Sequence, residues 1–177
     1  MKFLFALLVL VPIAASAQNP YLKLDYDSLV IYDYGNNMGD EPGTNIGKKG
    51  NVYEFGFKPV KSAKLTKVEA KEFSIRIGAD SSYGQGVASC YDPHFAAIYY
   101  KGGKAIANVE ICIGCNRLYP SIEIPAKFTR PEKIEKGETF YPHSGLSRNF
   151  RLYMKVLLDK YGFSHAPKGQ SVFDKDY

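Results

Sequence analysis

Three cysteines and a nearby histidine are the residues of this chain whose types and spacing allow chemistry. Cys90 and His94 come first, and Cys112 and Cys115 follow as a Cys-x-x-Cys pair. Two cysteines can form a disulfide, two thiols can exchange disulfides, and four sulfur and nitrogen ligands can hold zinc. The elements that carry these residues decide which chemistry is available.

The segment between Cys90 and Cys115 predicts a β-hairpin. Residues 95–100 and 105–113 are strand-like, and Gly102-Gly103 between them tolerates the positive φ of a two-residue turn. The register of such a hairpin sets these pairs opposite each other: Lys101 with Lys104, Ile98 with Ala107, Ala96 with Val109, and His94 with Ile111. The last three pairs share one core-facing side, and Cys90 lies across from Cys115.

A disulfide between Cys90 and Cys115 is the expected structural use of the cysteines, with Cys112 left as a thiol on the other face. Facing residues on antiparallel strands have β-carbons about 4.5 to 5.5 Å apart, so a small adjustment reaches disulfide distance. The bridge closes a loop of about 25 residues and contributes about 3 kcal/mol to stability.

Two functional interpretations of the same cysteines stay open. In one, Cys112 and Cys115 are a redox pair, although such pairs usually begin a helix and Pro120 leaves little room for one here. In the other, Cys90, His94, Cys112 and Cys115 bind zinc near the open end of the hairpin. We expect no cofactor, with zinc as the alternative.

The cysteine pattern resembles a group of small exported bacterial proteins of unassigned function. The resemblance covers roughly residues 66–163. It lies in Cys90-Tyr91-Asp92-Pro93, an apolar strand with a glycine turn, the run from Val109 to Cys115, and a terminal amphipathic helix. Where the group has a basic residue and then a histidine after the proline, this chain has His94 and Phe95. The resemblance implies no activity.

The first 17 residues predict a cleavable secretory signal. Lys2 gives a positive end, an apolar run extends from Phe3 to Ala15, and Ala15-Ser16-Ala17 fits a peptidase site. The run is shorter than the roughly 20 residues of a membrane span. We therefore expect residues 18–177 to be exported to the periplasm or secreted, with no transmembrane segment after cleavage.

Size and composition predict that residues 18–177 form one folded domain. The chain is 45% hydrophobic and 14% aromatic, which is typical of folded proteins. The net charge is +5, but the lysines are spread along the chain rather than clustered, which argues against nucleic acid as a partner. No serine lies in a Gly-x-Ser-x-Gly motif.

Local patterns predict an α+β fold. Residues 29–34 and 52–57 favour strands, and the Gly-rich segment 35–51 between them is typical of a mobile or functional loop. Thr66 to Glu69 fits a capping box, and residues 73–77 alternate like a strand. The spacing of apolar residues from Leu146 to Tyr161 predicts an amphipathic helix. Ser144 or Ser147 is expected to cap its start, and Gly162 is expected to end it. Its predicted solvent side carries Arg148, Arg151, Lys155 and Asp159.

The expected architecture is an antiparallel sheet of about four to six strands with the hairpin at its centre and the C-terminal helix packed on one face. The expected function is that of a non-catalytic exported module that binds a protein, glycan or small ligand in the envelope or outside the cell. A thiol-dependent protein is the alternative, and an enzyme is not predicted.

Overall fold

A computed structural model describes residues 19–35, 43–46, 52–55, 59–87, 93–128, 132–133, 139–140 and 145–164. The strands in this part of the chain are β1 (Ser28–Asp33), β2 (Gly43–Ile46), β3 (Val52–Phe55), β4 (Lys61–Lys64), β5 (Tyr83–Gln85), β6 (Phe95–Lys101), β7 (Lys104–Cys112), β8 (Arg117–Pro120), β9 (Glu132–Lys133), β10 (Thr139–Phe140) and β11 (Gly145–Leu146). The helices are α1 (Lys67–Ile77) and α2 (Arg148–Tyr161), with short 3-10 helices at Pro20–Leu22, Asp80–Ser82 and Pro125–Phe128.

A five-stranded antiparallel sheet is the centre of the fold. Its strand order is β4-β1-β6-β7-β8, so the β6–β7 hairpin is central, as predicted. Three two-stranded sheets, β2–β3, β5–β11 and β9–β10, surround it. The predicted α+β architecture, with four to six strands and a C-terminal helix packed on one face, is confirmed.

The two glycines form the predicted turn of the central hairpin. Gly102 and Gly103 have φ values of 55° and 75°, a left-handed conformation that glycine adopts without steric cost. The backbone N–H of Gly102 donates a hydrogen bond to the Asp27 carboxylate at 2.6 Å. This contact ties the turn to the residue before β1, which is the next strand of the sheet.

A β-bulge makes the predicted register wrong beyond the first pairs of the hairpin. Tyr100 faces Ala105 as expected, but Tyr99 faces Ala107, so that Ile106 has no partner across the strand. The observed pairs beyond the bulge are Ile98 with Asn108, Ala97 with Val109, Ala96 with Glu110, and Phe95 with Ile111. Because one extra residue in a strand shifts every later pair, the β6 side chains predicted on one face lie on the other, whereas the β7 side chains keep their predicted faces.

The predicted register failed because β6 has no polar alternation. All residues from Phe95 to Tyr99 are buried, so the sequence offers apolar side chains to both faces of the sheet. The side beneath the helices is lined by Phe95, Ala97 and Tyr99. A strand that is buried on both faces allows two registers of similar apolar content, and only the bulge distinguishes them.

Helix α1 begins as predicted but is longer than expected. The capping box is present, because Thr66 Oγ1 accepts the Glu69 N–H and the Glu69 carboxylate accepts the Thr66 N–H. The predicted strand at 73–77 is wrong, since these residues continue the helix to Ile77. The buried residues of α1 recur at helical spacing: Ala70, Phe73, Ser74 and Ile77.

Helix α2 packs on the same side of the sheet and has the predicted caps. Ser147 accepts the Phe150 N–H at the N-terminus, and Gly162 ends the helix with a φ of 61°. The prediction that Arg151 lies on the solvent side is wrong, because Arg151 is fully buried. It follows Ser147 by four residues and precedes Met154 by three, which places it on the core-facing side of the helix.

The remaining strand predictions are confirmed in part. Strand β1 matches the predicted segment 29–34 within one residue at each end, and β3 occupies the first four residues of 52–57. Within the segment predicted as a loop, Gly43–Ile46 forms β2 and pairs with β3. Residues 36–42 and 47–51 lie outside the described residues.

One carboxylate joins the two helices. Glu69 accepts hydrogen bonds from Lys160 Nζ and, at 2.8 Å, from the Tyr161 hydroxyl. Burial alone would raise the pKa of Glu69, but the hydrogen bonds from Lys160, Thr66 and Tyr161 outweigh it and lower the pKa to about 2. Glu69 therefore stabilises both the start of α1 and the contact with the end of α2.

The substitution Glu69→Gln is expected to lower the free energy of unfolding by about 1 kcal/mol at neutral pH. Glutamine keeps the capping box but loses the charge that Lys160 and Tyr161 contact. A carboxyl whose folded pKa lies below its usual 4.5 stabilises the fold above that value and ceases to do so as pH falls towards 2. The difference between the two proteins should therefore shrink over that range.

Urea unfolding of both proteins at several pH values measures this difference. Glu72→Gln is the matched control, because Glu72 forms a half-exposed pair with Arg76 on the same helix and its loss should cost less than about 0.5 kcal/mol. An equal effect of the two substitutions at neutral pH would contradict the assigned role of Glu69.

Candidate functional site

The Cys-x-x-Cys pair lies at the junction of β7 and β8. Cys112 is the last residue of β7 and faces Arg117, the first residue of β8. Cys115 lies in the four-residue turn between them, which closes with Asn116 in the left-handed region at a φ of 55°. Both cysteine side chains are buried, so the turn holds them inside the protein rather than at its surface.

The two cysteines of the pair are in different chemical states. Cys115 is disulfide-bonded, whereas Cys112 is not. The backbone N–H of Cys115 donates to the Cys112 sulfur at 3.2 Å. Cys90 lies outside the described residues, so the predicted Cys90–Cys115 pairing stays a prediction. The register that first suggested it is wrong, because the bulge shifts the pairing and β7 ends before Cys115.

The predicted zinc site includes Cys90, which lies outside the described residues, so the site stays a prediction. In the described part of the chain, no group of three or more His, Cys, Asp or Glu side chains is placed to hold a metal ion. His94 is half-buried just before β6, and its carbonyl oxygen accepts the N–H of Tyr34. His94 therefore also has the structural role of a residue beside a strand.

A buried polar network anchors the turn to helix α2. Arg151 Nη1 donates to Asn116 Oδ1 at 3.2 Å and to the carbonyl oxygen of Leu146. The side-chain amide of Asn116 donates in turn to the Gly86 carbonyl at 2.8 Å. Because Arg151 and Asn116 are both fully buried, these contacts are made without competing water and fix the start of β8.

The sheet face opposite the helices is polar towards its β8 side. Residues directly across from each other share a face, and so do residues two apart on one strand. The register therefore places these side chains together on that face: Asn108, Glu110 and Cys112 from β7, and Arg117 and Tyr119 from β8. The other face of β8 contributes Leu118 to the hydrophobic core.

A basic cluster, which we define as Arg117, Tyr119 and Lys127, occupies the β8 edge of the sheet. Arg117 Nη1 lies 3.4 Å from the Tyr119 hydroxyl. Lys127 Nζ lies 5.5 Å from the centre of the Tyr119 ring and 5.4 Å from that of Phe128, within the range of cation–π contacts. The Tyr119 side chain is 47% exposed, so one aromatic surface between two cations is open to solvent.

The charges of the basic cluster have no counterion among the residues that the structure describes. There, neither Arg117 nor Lys127 forms an ion pair with a carboxylate, in contrast to Lys101, Lys155 and Lys160. Burial and then the nearby Arg117 lower the pKa of Lys127. Among the residues that the structure describes, the buried Nε of Arg117 has no hydrogen-bond partner.

The outer edge of β8 is closed to pairing with another strand. Lys127 Nζ donates to the Leu118 carbonyl at 3.0 Å, and Pro120 has no N–H to offer. A lysine and a proline at an edge are the usual means by which sheets resist the addition of a further strand. A partner of this region must therefore contact side chains.

The sequence prediction missed the basic cluster for a physical reason. Lysines and arginines are dispersed along the sequence. The cluster forms only because the chain folds back and brings Lys127 to the strand that carries Arg117. One signal was present: Arg117 and Tyr119 are two residues apart, which on a strand places both on one face. Recognising it required β8, which had not been predicted.

Comparison of the chain with protein-family models, with curated proteins and with solved structures gives no match. The resemblance to small exported proteins therefore stays an expectation. Among the described residues, neither helix combines the length and the hydrophobicity that crossing a membrane requires.

Proposed function

We propose that the chain is an exported, non-catalytic binding module whose ligand site is the basic cluster. The observation that carries this proposal is a half-exposed tyrosine ring beside two cations that form no ion pair with the described carboxylates. Charged groups in folded proteins are normally paired when they are partly buried. Their arrangement around an exposed ring is typical of a surface that contacts a ligand.

The groups of the cluster support binding better than catalysis. An exposed ring offers a stacking surface, and the guanidinium and ammonium groups offer hydrogen bonds and charge. The network of Arg151 and Asn116 holds the start of β8 in place, which limits the ordering cost of binding. The basic cluster thus resembles a preformed surface for a small ligand or the exposed end of a larger one.

Export is part of the proposal and rests on the sequence alone. The predicted signal over residues 1–17 leads to the periplasm or the outside of the cell. The ligand is accordingly proposed among the proteins, glycans and small molecules of the envelope or surroundings, and not among nucleic acids.

The mature protein should bind at least one member of an array of glycans and small acidic or neutral metabolites, and Tyr119→Ala should abolish that binding. Removing the ring removes the stacking surface between the cations. Tyr119→Phe should keep most of the affinity. Val68→Ala, which alters an exposed apolar residue of α1, should leave the array signals unchanged. Binding that is lost equally in Val68→Ala and Tyr119→Ala would contradict the assignment of the site.

A thiol-dependent protein is the second candidate, and one contact favours it. The Cys115 N–H donates to the Cys112 sulfur, and a hydrogen bond to the charged form of a group stabilises that form. Burial opposes it, since Cys112 is only 2% exposed and cannot be reached by a second protein without movement of the turn. We therefore rank this function below ligand binding.

We propose that the partner of Cys115 is Cys90, as the hairpin first suggested. A disulfide sulfur is not a thiolate, so this bridge is incompatible with zinc held by Cys90, His94, Cys112 and Cys115. Binding of zinc by these four residues would therefore require reduction of the disulfide. The cysteine states thus distinguish a structural bridge from the metal and redox alternatives.

Thiol titration of the unreduced protein should give no reactive thiol in the native state and one in denaturant. The buried Cys112 accounts for both results, because unfolding exposes it while the disulfide stays closed. Cys112→Ser should lower the denatured count to none, and mass spectrometry should recover the peptides of Cys90 and Cys115 linked. Three thiols in denaturant, or one equivalent of bound zinc, would favour the thiol-dependent function instead.

A further inference from the structure

We infer that the basic cluster recognises an oxyanion, a carboxylate or phosphate group, carried by a sugar-sized organic ligand. This inference rests on the proposed function and adds the chemical class of the ligand. Three observations on the described residues carry it: unused hydrogen-bond donors, charge without a counterion, and an exposed ring beside both.

The cluster has donors that the described part of the protein does not use. Lys127 carries three N–H donors, and the described residues occupy it with one hydrogen bond, to the Leu118 carbonyl. Arg117 carries five, of which one contacts the Tyr119 hydroxyl, while its buried Nε has no partner in the described part of the protein. Oxyanions accept several hydrogen bonds at once, so they match two neighbouring cations whose polar atoms all donate.

The charge of the cluster also favours an anion. Arg117 and Lys127 are both half-buried and close enough for Arg117 to disfavour the charged form of Lys127. Glu110 lies across from Tyr119 on the same face and is buried. A bound oxyanion would supply the missing negative charge, and it would raise the pKa of Lys127 back towards that of an ordinary lysine.

The ring determines what carries the oxyanion. Tyr119 is about half exposed, whereas a bare inorganic ion needs no aromatic surface. The flat face of a sugar ring or of another small ring can lie against tyrosine while its acidic substituent reaches the cations. An acidic sugar or a sugar phosphate satisfies both requirements.

Three compounds that differ only at C6 test the inference: glucose, glucuronate and glucose 6-phosphate. Titration of the mature protein, followed by amide and lysine side-chain NMR, should show shifts at Leu118, Tyr119 and Lys127 with the two anions and none with glucose. The anion that binds with the higher affinity shows whether carboxylate or phosphate is preferred. Added salt should weaken the binding.

Variants locate the site of the anion. Lys127→Gln and Arg117→Gln should each weaken binding at least tenfold, Lys127→Arg should restore most of it, and the exposed Lys104→Gln should change it less than twofold. Amide spectra of each variant check that the fold is kept. If Arg117→Gln does not fold, Lys127→Gln and its arginine rescue decide the result.

Two negative outcomes of the titration have different consequences. Shifts at Tyr119 that are as large with glucose as with glucuronate would overturn the inference while leaving the binding module in place, since the ring rather than the charge would then be recognised. No shift with any of the three compounds would overturn the inference as well. The array experiment with Tyr119→Ala then decides separately whether the site binds another ligand.

Discussion

The extra residue in β7 is the constraint that decides which side chains of the central strand β6 face the helices. Gly102 and Gly103 close the central hairpin, but the bulge at Ile106 sets the pairing from Tyr99 onwards. It turns Ala97 of β6 towards the helices, on the same side as Val109 of β7. Because β1 pairs with β6, the same offset places Ile31 in the core beneath the helices. The pairing of β7 with β8 places Arg117 and Tyr119 on the opposite face.

Polar contacts, rather than hydrophobic packing alone, hold the two layers in register. Tyr21, in the 3-10 helix that precedes β1, is fully buried and donates its hydroxyl to the Asn108 carbonyl at 3.2 Å. Arg151 performs a similar task in the turn after β7 by contacting Asn116. Buried hydrogen bonds of this kind lose their value when displaced, so they specify one arrangement of the strands. The basic cluster lies on β8, whose position these hydrogen bonds help to fix.

Much of the fold follows from local sequence patterns. The capping box at Thr66, the stop at Gly162 and the glycine turn each depend on a few neighbouring residues, and each was correctly predicted. The segment that was assigned wrongly fits two patterns of secondary structure. The stretch from Phe73 to Ile77 alternates like a strand, yet its residues also fit the spacing of a buried helix face. Burial against the sheet decides between them, and no local pattern contains that information.

The candidate site was less predictable than the fold because it depends on long-range contacts. Cys112 and Cys115 were singled out from spacing, which fixes neither their chemical states nor their burial. Lys127 joins Arg117 only after the chain has passed through β8 and folded back. Cross-strand nuclear Overhauser effects between methyl groups test the underlying register most directly. The structure predicts a strong effect between Ala97 and Val109, whereas one between Ala96 and Val109 would contradict the bulge and the orientation of β6 and β1 that it sets.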